Sequence, residues 1–136
     1  VNKIGGGIVR IIKKVVTKYE CRVCKVKYGN RKEAQQCERR ELEPKKFKKG
    51  NLVEGTEQFV CNHGLGDITF LPKGSIVRIT GPEVMGEEYS LKWLGGKLLG
   101  QHVYQYLVRY SCFCGRVGEH LYYSAELIKR GGDTKR

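Results

Sequence analysis

The spacing of apolar residues changes character part-way along the chain. From residue 51 onward, apolar and polar positions alternate in short runs. The segments 51–54, 58–61, 68–71, 75–80, 88–93, 102–112 and 120–124 each read as a β-strand. Breaks of Gly64-Leu65-Gly66, Pro72-Lys73-Gly74, Gly81-Pro82, Gly95-Gly96 and Gly115-Arg116-Val117-Gly118 separate them. Strands this short and closely spaced predict a small closed or half-closed barrel, because closure removes exposed sheet edges. Within the long segment Tyr104, Tyr106, Val108, Tyr110 and Cys112 share one face, which reads as core or half-buried packing. Trp93, Tyr122 and Tyr123 are the aromatic candidates for an exposed surface.

Upstream the period differs. Residues 31–42 are rich in helix formers, with Asn30 as N-cap, Glu33 as its reciprocal partner and Pro44 as the stop. In 8–16 the spacing of Ile8, Ile11, Ile12 and Val15 fits a helix face. The β-branched content, and continuity into Lys18-Tyr19-Glu20-Cys21, favour a strand. Three successive glycines make 1–7 a flexible lead-in. The predicted fold class is mainly β with one short helix. It divides into a basic lead-in and strand (1–18), a cysteine-bearing module (19–44), a basic linker (45–50), a small barrel (51–130) and a tail (131–136).

Charge sharpens this division. The 136 residues hold 26 Lys+Arg against 14 Asp+Glu, a formal net charge of +12. Residues 1–50 carry 16 of these cations and only 5 of the acids, so nearly all the excess lies in the first third. Such concentration points to a polyanionic partner rather than to a solvated surface kept for solubility. No apolar run is long enough to cross a bilayer. With no secretory pattern visible, the expected location is intracellular and reducing.

Cysteine spacing supplies the candidate chemistry. Cys21 and Cys24 stand on a predicted turn, and Cys37 follows Cys24 thirteen positions later on the predicted helix. A turn and a helix face converging on one point can surround a tetrahedral soft cation, and thiolates select zinc or iron over hard ions. Flanking Lys and Arg favour the thiolate. The unmetallated alternative is a set of small buried thiols.

The stretch from Tyr19 to Leu42 resembles a C2H2-type zinc finger with Cys at the third ligand position: Tyr28 follows Cys24 by four, Ala34 takes a core position and Cys37 the third-ligand position. The resemblance implies a ββα unit holding Zn²⁺. Its fourth-ligand position is Glu41 rather than His, which leaves three possibilities: Glu41 coordinates through oxygen, a ligand arrives from elsewhere, or the unit persists without metal. It also implies base-contacting positions at Asn30, Glu33 and Gln36. Phosphate contact without sequence preference would come from Lys25, Lys27, Arg31, Lys32, Arg39 and Arg40, continued by Lys45, Lys46, Lys48 and Lys49 of the linker.

A second constellation is possible. Cys61 and His63 are two apart, as are Cys112 and Cys114, and i, i+2 residues of a strand share a face. If the two strand ends are neighbours, these four form a second zinc site, with Gly64 and Gly115 allowing close approach. The alternatives are core thiols, one disulfide, or His63 completing the first site.

Residues 47–130 resemble an SH3-like barrel, with Ser124 to Lys129 as its closing turn and strand. That architecture serves ribosomal, transcription and chromatin proteins and peptide-binding modules alike, so it does not select a function. Catalysis is not expected. Only Asp67 and Asp133 are Asp, and there is neither a phosphate-cradling Gly-Lys-Ser/Thr loop nor a nucleophile elbow, although a Cys/His pair could form in space. The leading expectation is a small basic zinc protein that binds nucleic acid non-catalytically, structured RNA or DNA with RNA favoured, within a ribonucleoprotein or transcription assembly. The alternative is a protein–protein adaptor whose barrel binds a partner and whose finger is a staple. A third reading, lipid anchoring through 8–16, requires a helix there.

Overall fold

The computed structural model describes residues 17–62, 64 and 66–130. The lead-in 1–7, the strand expected over 8–16, His63 and the tail 131–136 lie outside the described residues. A two-stranded antiparallel sheet opens the fold, pairing β1 (Tyr19–Glu20) with β2 (Lys27–Tyr28). Helix α1 (Arg31–Glu38) follows. Asn30 caps it as expected: its backbone is extended and its side-chain oxygen accepts from the Lys32 amide at 2.7 Å. Ala34 and Cys37, three apart, are the buried face. The helix stops at Glu38, short of the expected Leu42, because 41–43 leave it to run beside a later strand.

The rest is mainly β. Strands β3 (Leu52–Gly55), β6 (Lys73–Val84), β7 (His102–Ser111), β8 (Val117–Tyr123) and β9 (Leu127–Lys129) form one sheet in the order β8-β7-β6-β3-β9. A separate antiparallel pair joins β4 (Phe59–Cys61) to β5 (Ile68–Phe70). A 3-10 turn at Ser124–Glu126 precedes β9. The strand count predicts a closed or half-closed barrel; no barrel closes, and the five-stranded sheet is open, with β8 and β9 as its edges.

One expected strand is a helix. The segment 88–93 lies within α2 (Glu87–Trp93). Tyr89, Leu91 and Trp93 alternate like a strand, but all three are exposed, and the buried residues are Ser90 and, one turn on, Leu94. The Ser90 hydroxyl donates to the Lys97 carbonyl at 2.6 Å, which is what lets a polar residue face inward. Glu87 and Glu88 in the first turn and Lys92 in the last suit the helix dipole.

The main core holds Phe47, Val53, Ile76, Tyr106, Val108, Tyr122 and Leu127, with Tyr104 and Tyr110 packed against it. The alternating Tyr face of β7 is therefore packing, as read, while Tyr122 is buried rather than a surface platform. The basic 45–50 segment is docked. Phe47 meets the Tyr106 ring edge-on at 5.3 Å, and the Lys46 amide donates to the Tyr106 hydroxyl at 3.1 Å. Gly74, where β6 crosses β7, is obligatory, since a Cβ there would lie 1.9 Å from the Arg109 carbonyl oxygen.

Candidate metal centre

Cys21 and Cys24 sit on the turn joining β1 to β2. The Cys21 amide donates to the Val26 carbonyl at 2.9 Å, and the Lys25 amide returns to the Cys21 carbonyl at 2.8 Å. Closing that tight loop puts Lys25 at a left-handed φ of 69°. Helix α1 brings Cys37 over the turn. The backbone amide and guanidinium of Arg22 both donate to Glu38, tying turn to helix.

The fourth group is His102, the first residue of β7. Its amide donates to the Glu41 carbonyl at 2.7 Å, and its carbonyl accepts from the Glu43 amide at 2.9 Å, so 41–43 grip it from both sides. Glu41, the expected fourth-ligand position, thus corrects to a backbone role. Its side chain is exposed and outside the cluster, and its carbonyl places the imidazole.

Cys21 Sγ lies 3.6 Å from His102 Nε2, Cys37 Sγ lies 3.4 Å from the same nitrogen, and Cys24 Sγ lies 3.6 Å from Cys37 Sγ. All four donor atoms fall within 4.8 Å of one another. These separations can be checked against a bound ion. Metal–sulfur bonds of about 2.3 Å and metal–nitrogen bonds of about 2.0–2.1 Å at tetrahedral angles put ligand atoms roughly 3.5–3.8 Å apart. Disulfide sulfurs would approach to about 2.05 Å, and no disulfide forms among the described residues.

Burial strengthens the case. Cys21 and His102 are 0% exposed and Cys37 is 2% exposed. An imidazole whose Nε2 faces sulfurs gains little from such weak hydrogen-bond partners, so its burial needs a stronger compensation. Cys24 is raised to about 11, by burial first and then by the neighbouring thiols, against the Val26 amide. Burial also pushes Cys21 upward. The Cys24 and Val23 amides and the Cys37 and Cys24 thiols outweigh it, leaving Cys21 lowered. The Tyr28 hydroxyl, hydrogen-bonded to the Cys37 sulfur, is pushed up to about 12. This arrangement can hold a metal ion.

A second cluster joins Cys61, at the end of β4, to Cys112 and Cys114 on the β7–β8 turn, with donor atoms again within 4.8 Å. His63, the fourth member expected from sequence, lies outside the described residues. The cations Lys25, Lys27, Arg31, Lys32, Arg39, Arg40, Lys45, Lys46, Lys48 and Lys49 are all exposed, as are Glu33 and Gln36. Among the described residues none of these cations is in an ion pair. Asn30 is exposed too, but its side-chain oxygen is used by the helix cap.

The chain matches no known protein family, no curated protein and no solved structure. Among the described residues no helix is long and apolar enough to cross a membrane.

Proposed function

We propose that this chain is a small zinc protein that binds nucleic acid without catalysis, using the zinc ion to hold a cationic lobe against the sheet. Cys21, Cys24, Cys37 and His102 hold the ion, as a finger-like ββα unit whose fourth ligand comes from the sheet. Three thiolates and one imidazole are a donor set suited to zinc in a structural, closed site. The observation that carries the reading is His102. Because one ligand belongs to β7 and three belong to residues 21–37, metal binding fixes the unpaired cations of α1 and 45–49 on one rigid frame. The SH3-like reading of the sheet is supported by its path: β3, β6, β7 and β8 meander, and the chain returns through a 3-10 turn to pair β9 with β3.

Lys and Arg side chains on such a frame bind phosphates by releasing counterions, with a slope of log affinity on log salt near −0.9 per duplex phosphate neutralised and about −0.7 for single strands. Structured RNA is favoured over duplex DNA, since a lone finger offers no array for reading a major groove. Titrating the zinc-loaded chain with a structured RNA and a duplex DNA between about 50 and 200 mM salt tests this. The expected result is tighter RNA binding that falls steeply with salt. Salt-insensitive binding, or none, contradicts it. The adaptor reading keeps one observation of its own: Leu91 and Trp93 on α2 are 58% and 57% exposed. An acidic protein that co-purifies without nuclease-sensitive material would favour it.

A further inference from the structure

The two cysteine turns are built to one plan. In the first, the leading cysteine's amide donates to the Val26 carbonyl and its carbonyl accepts from Lys25, the left-handed residue directly after the second cysteine. In the second, the Cys112 amide donates to the Arg116 carbonyl at 2.6 Å, and the Cys112 carbonyl accepts from the Gly115 amide at 2.8 Å. Gly115 has a φ of 93° and again directly follows the second cysteine. The second turn is the first shortened by one residue, Cys-X-Cys-Gly in place of Cys-X-X-Cys-Lys.

The placing of backbone amides repeats as well. Amides of the turn point at the leading sulfur in both: those of Cys24 and Val23 at Cys21, that of Cys114 at Cys112. The third donor again comes from a different element, Cys61 from β4 where the first site takes Cys37 from α1. Phe59, two residues earlier, packs edge-on against Phe70 and Tyr110 and fixes the strand end.

We infer that Cys61, Cys112 and Cys114 form a second zinc site, which exchanges its metal faster than the first. Among the described residues three thiols supply its ligands. The contrast in exchange follows from exposure. Cys61 is 3% exposed, but Cys112 is half-buried and Cys114 exposed, whereas three of the four donors at the first site are buried. A chelator can therefore reach the second ion without opening the fold. Its structural effect is to tie the β4–β5 pair, which shares no ladder with the main sheet, to the end of β7. This inference does not depend on nucleic-acid binding.

The test uses the full chain, loaded with Zn²⁺ under reducing conditions and freed of excess metal. The expected stoichiometry is two zinc ions per chain, one leaving quickly on addition of a chelator and one slowly. The double variant Cys112→Ser/Cys114→Ser should hold one ion, released at the slow rate, which also shows that the variant has folded. In the unmodified chain, zinc should slow alkylation of Cys112 and Cys114. Cobalt loading of both proteins gives an independent reading, because the sulfur-to-metal band should lose the second site's share in the variant. One ion per chain in both proteins overturns the site, as does alkylation of Cys112 and Cys114 at equal rates with and without zinc. Two ions leaving at a single rate overturn the difference in exchange.

Discussion

The two ends of β7 invite comparison. His102 opens the strand inside a buried cluster, and Ser111 closes it beside an exposed one. A ten-residue strand separates them by about 30 Å, so the two sites share a rigid element without touching. Their turns follow one hydrogen-bonding plan, yet their surroundings differ. Helix α1 and residues 41–43 cover the first turn, and the second stands at the sheet's margin with Phe113 64% exposed. Turn geometry alone can assemble thiols. What decides whether an ion held there would be structural is the third and fourth donors and the cover they bring.

The sharpest way to break the comparison is to remove the first ion. Cys37→Ser should abolish metal at that site and undock the α1 lobe, because the binding free energy of a structural zinc, about 10–16 kcal/mol in small zinc peptides, is also folding free energy. Zinc analysis and near-UV circular dichroism read it, and a variant retaining native spectra without metal refutes the structural role. Phe47→Ala comes next. Loss of this 1% exposed ring from the core should cost about 3–5 kcal/mol in chemical denaturation. It should also loosen the basic 45–50 segment from the sheet.

Replacing Lys45, Lys46, Lys48 and Lys49 together by Ala should lower RNA affinity for all sequences alike and flatten the salt slope by up to roughly four units, with metal content unchanged. An unchanged slope would remove this segment from the interface. Ser90→Ala strips the hydroxyl that holds the Lys97 carbonyl and should cost about 1 kcal/mol, read by thermal unfolding.

The smallest effect belongs to Glu38. The Arg22 amide and then its guanidinium hold this carboxyl below its ordinary value. A group with a depressed folded-state pKa stabilises the fold above its unfolded pKa, near 4.3, and loses that contribution as pH falls through the folded value. Glu38→Gln should therefore lower stability slightly at neutral pH and leave it unchanged in strong acid. An equal loss at both pH values would mean that the charge is not what matters.

What could be read from sequence was what is local. Cys21, Cys24 and Cys37 announce themselves by spacing, because one turn and one helix suffice to gather them. Asn30 as a cap is similarly local. His102 is 65 residues from Cys37, and no spacing rule reaches it. The only signal is a histidine that opens an apolar strand, and the pairing of 41–43 with 102 needs tertiary structure to be seen. The alternation of Tyr89, Leu91 and Trp93 predicts a strand, whereas the segment is a helix that turns the Ser90 hydroxyl inward and leaves Leu91 and Trp93 exposed. The open sheet escaped for a related reason: the number of strands does not say whether the first and last will meet.

X-ray absorption at the zinc edge, on zinc-loaded Cys112→Ser/Cys114→Ser protein, addresses the central claim most directly. The account predicts one ion per chain surrounded by three sulfurs at about 2.3 Å and one nitrogen at about 2.0 Å, the nitrogen disappearing in His102→Ala. A metal-free protein, or a first shell that is the same with and without His102, would contradict it.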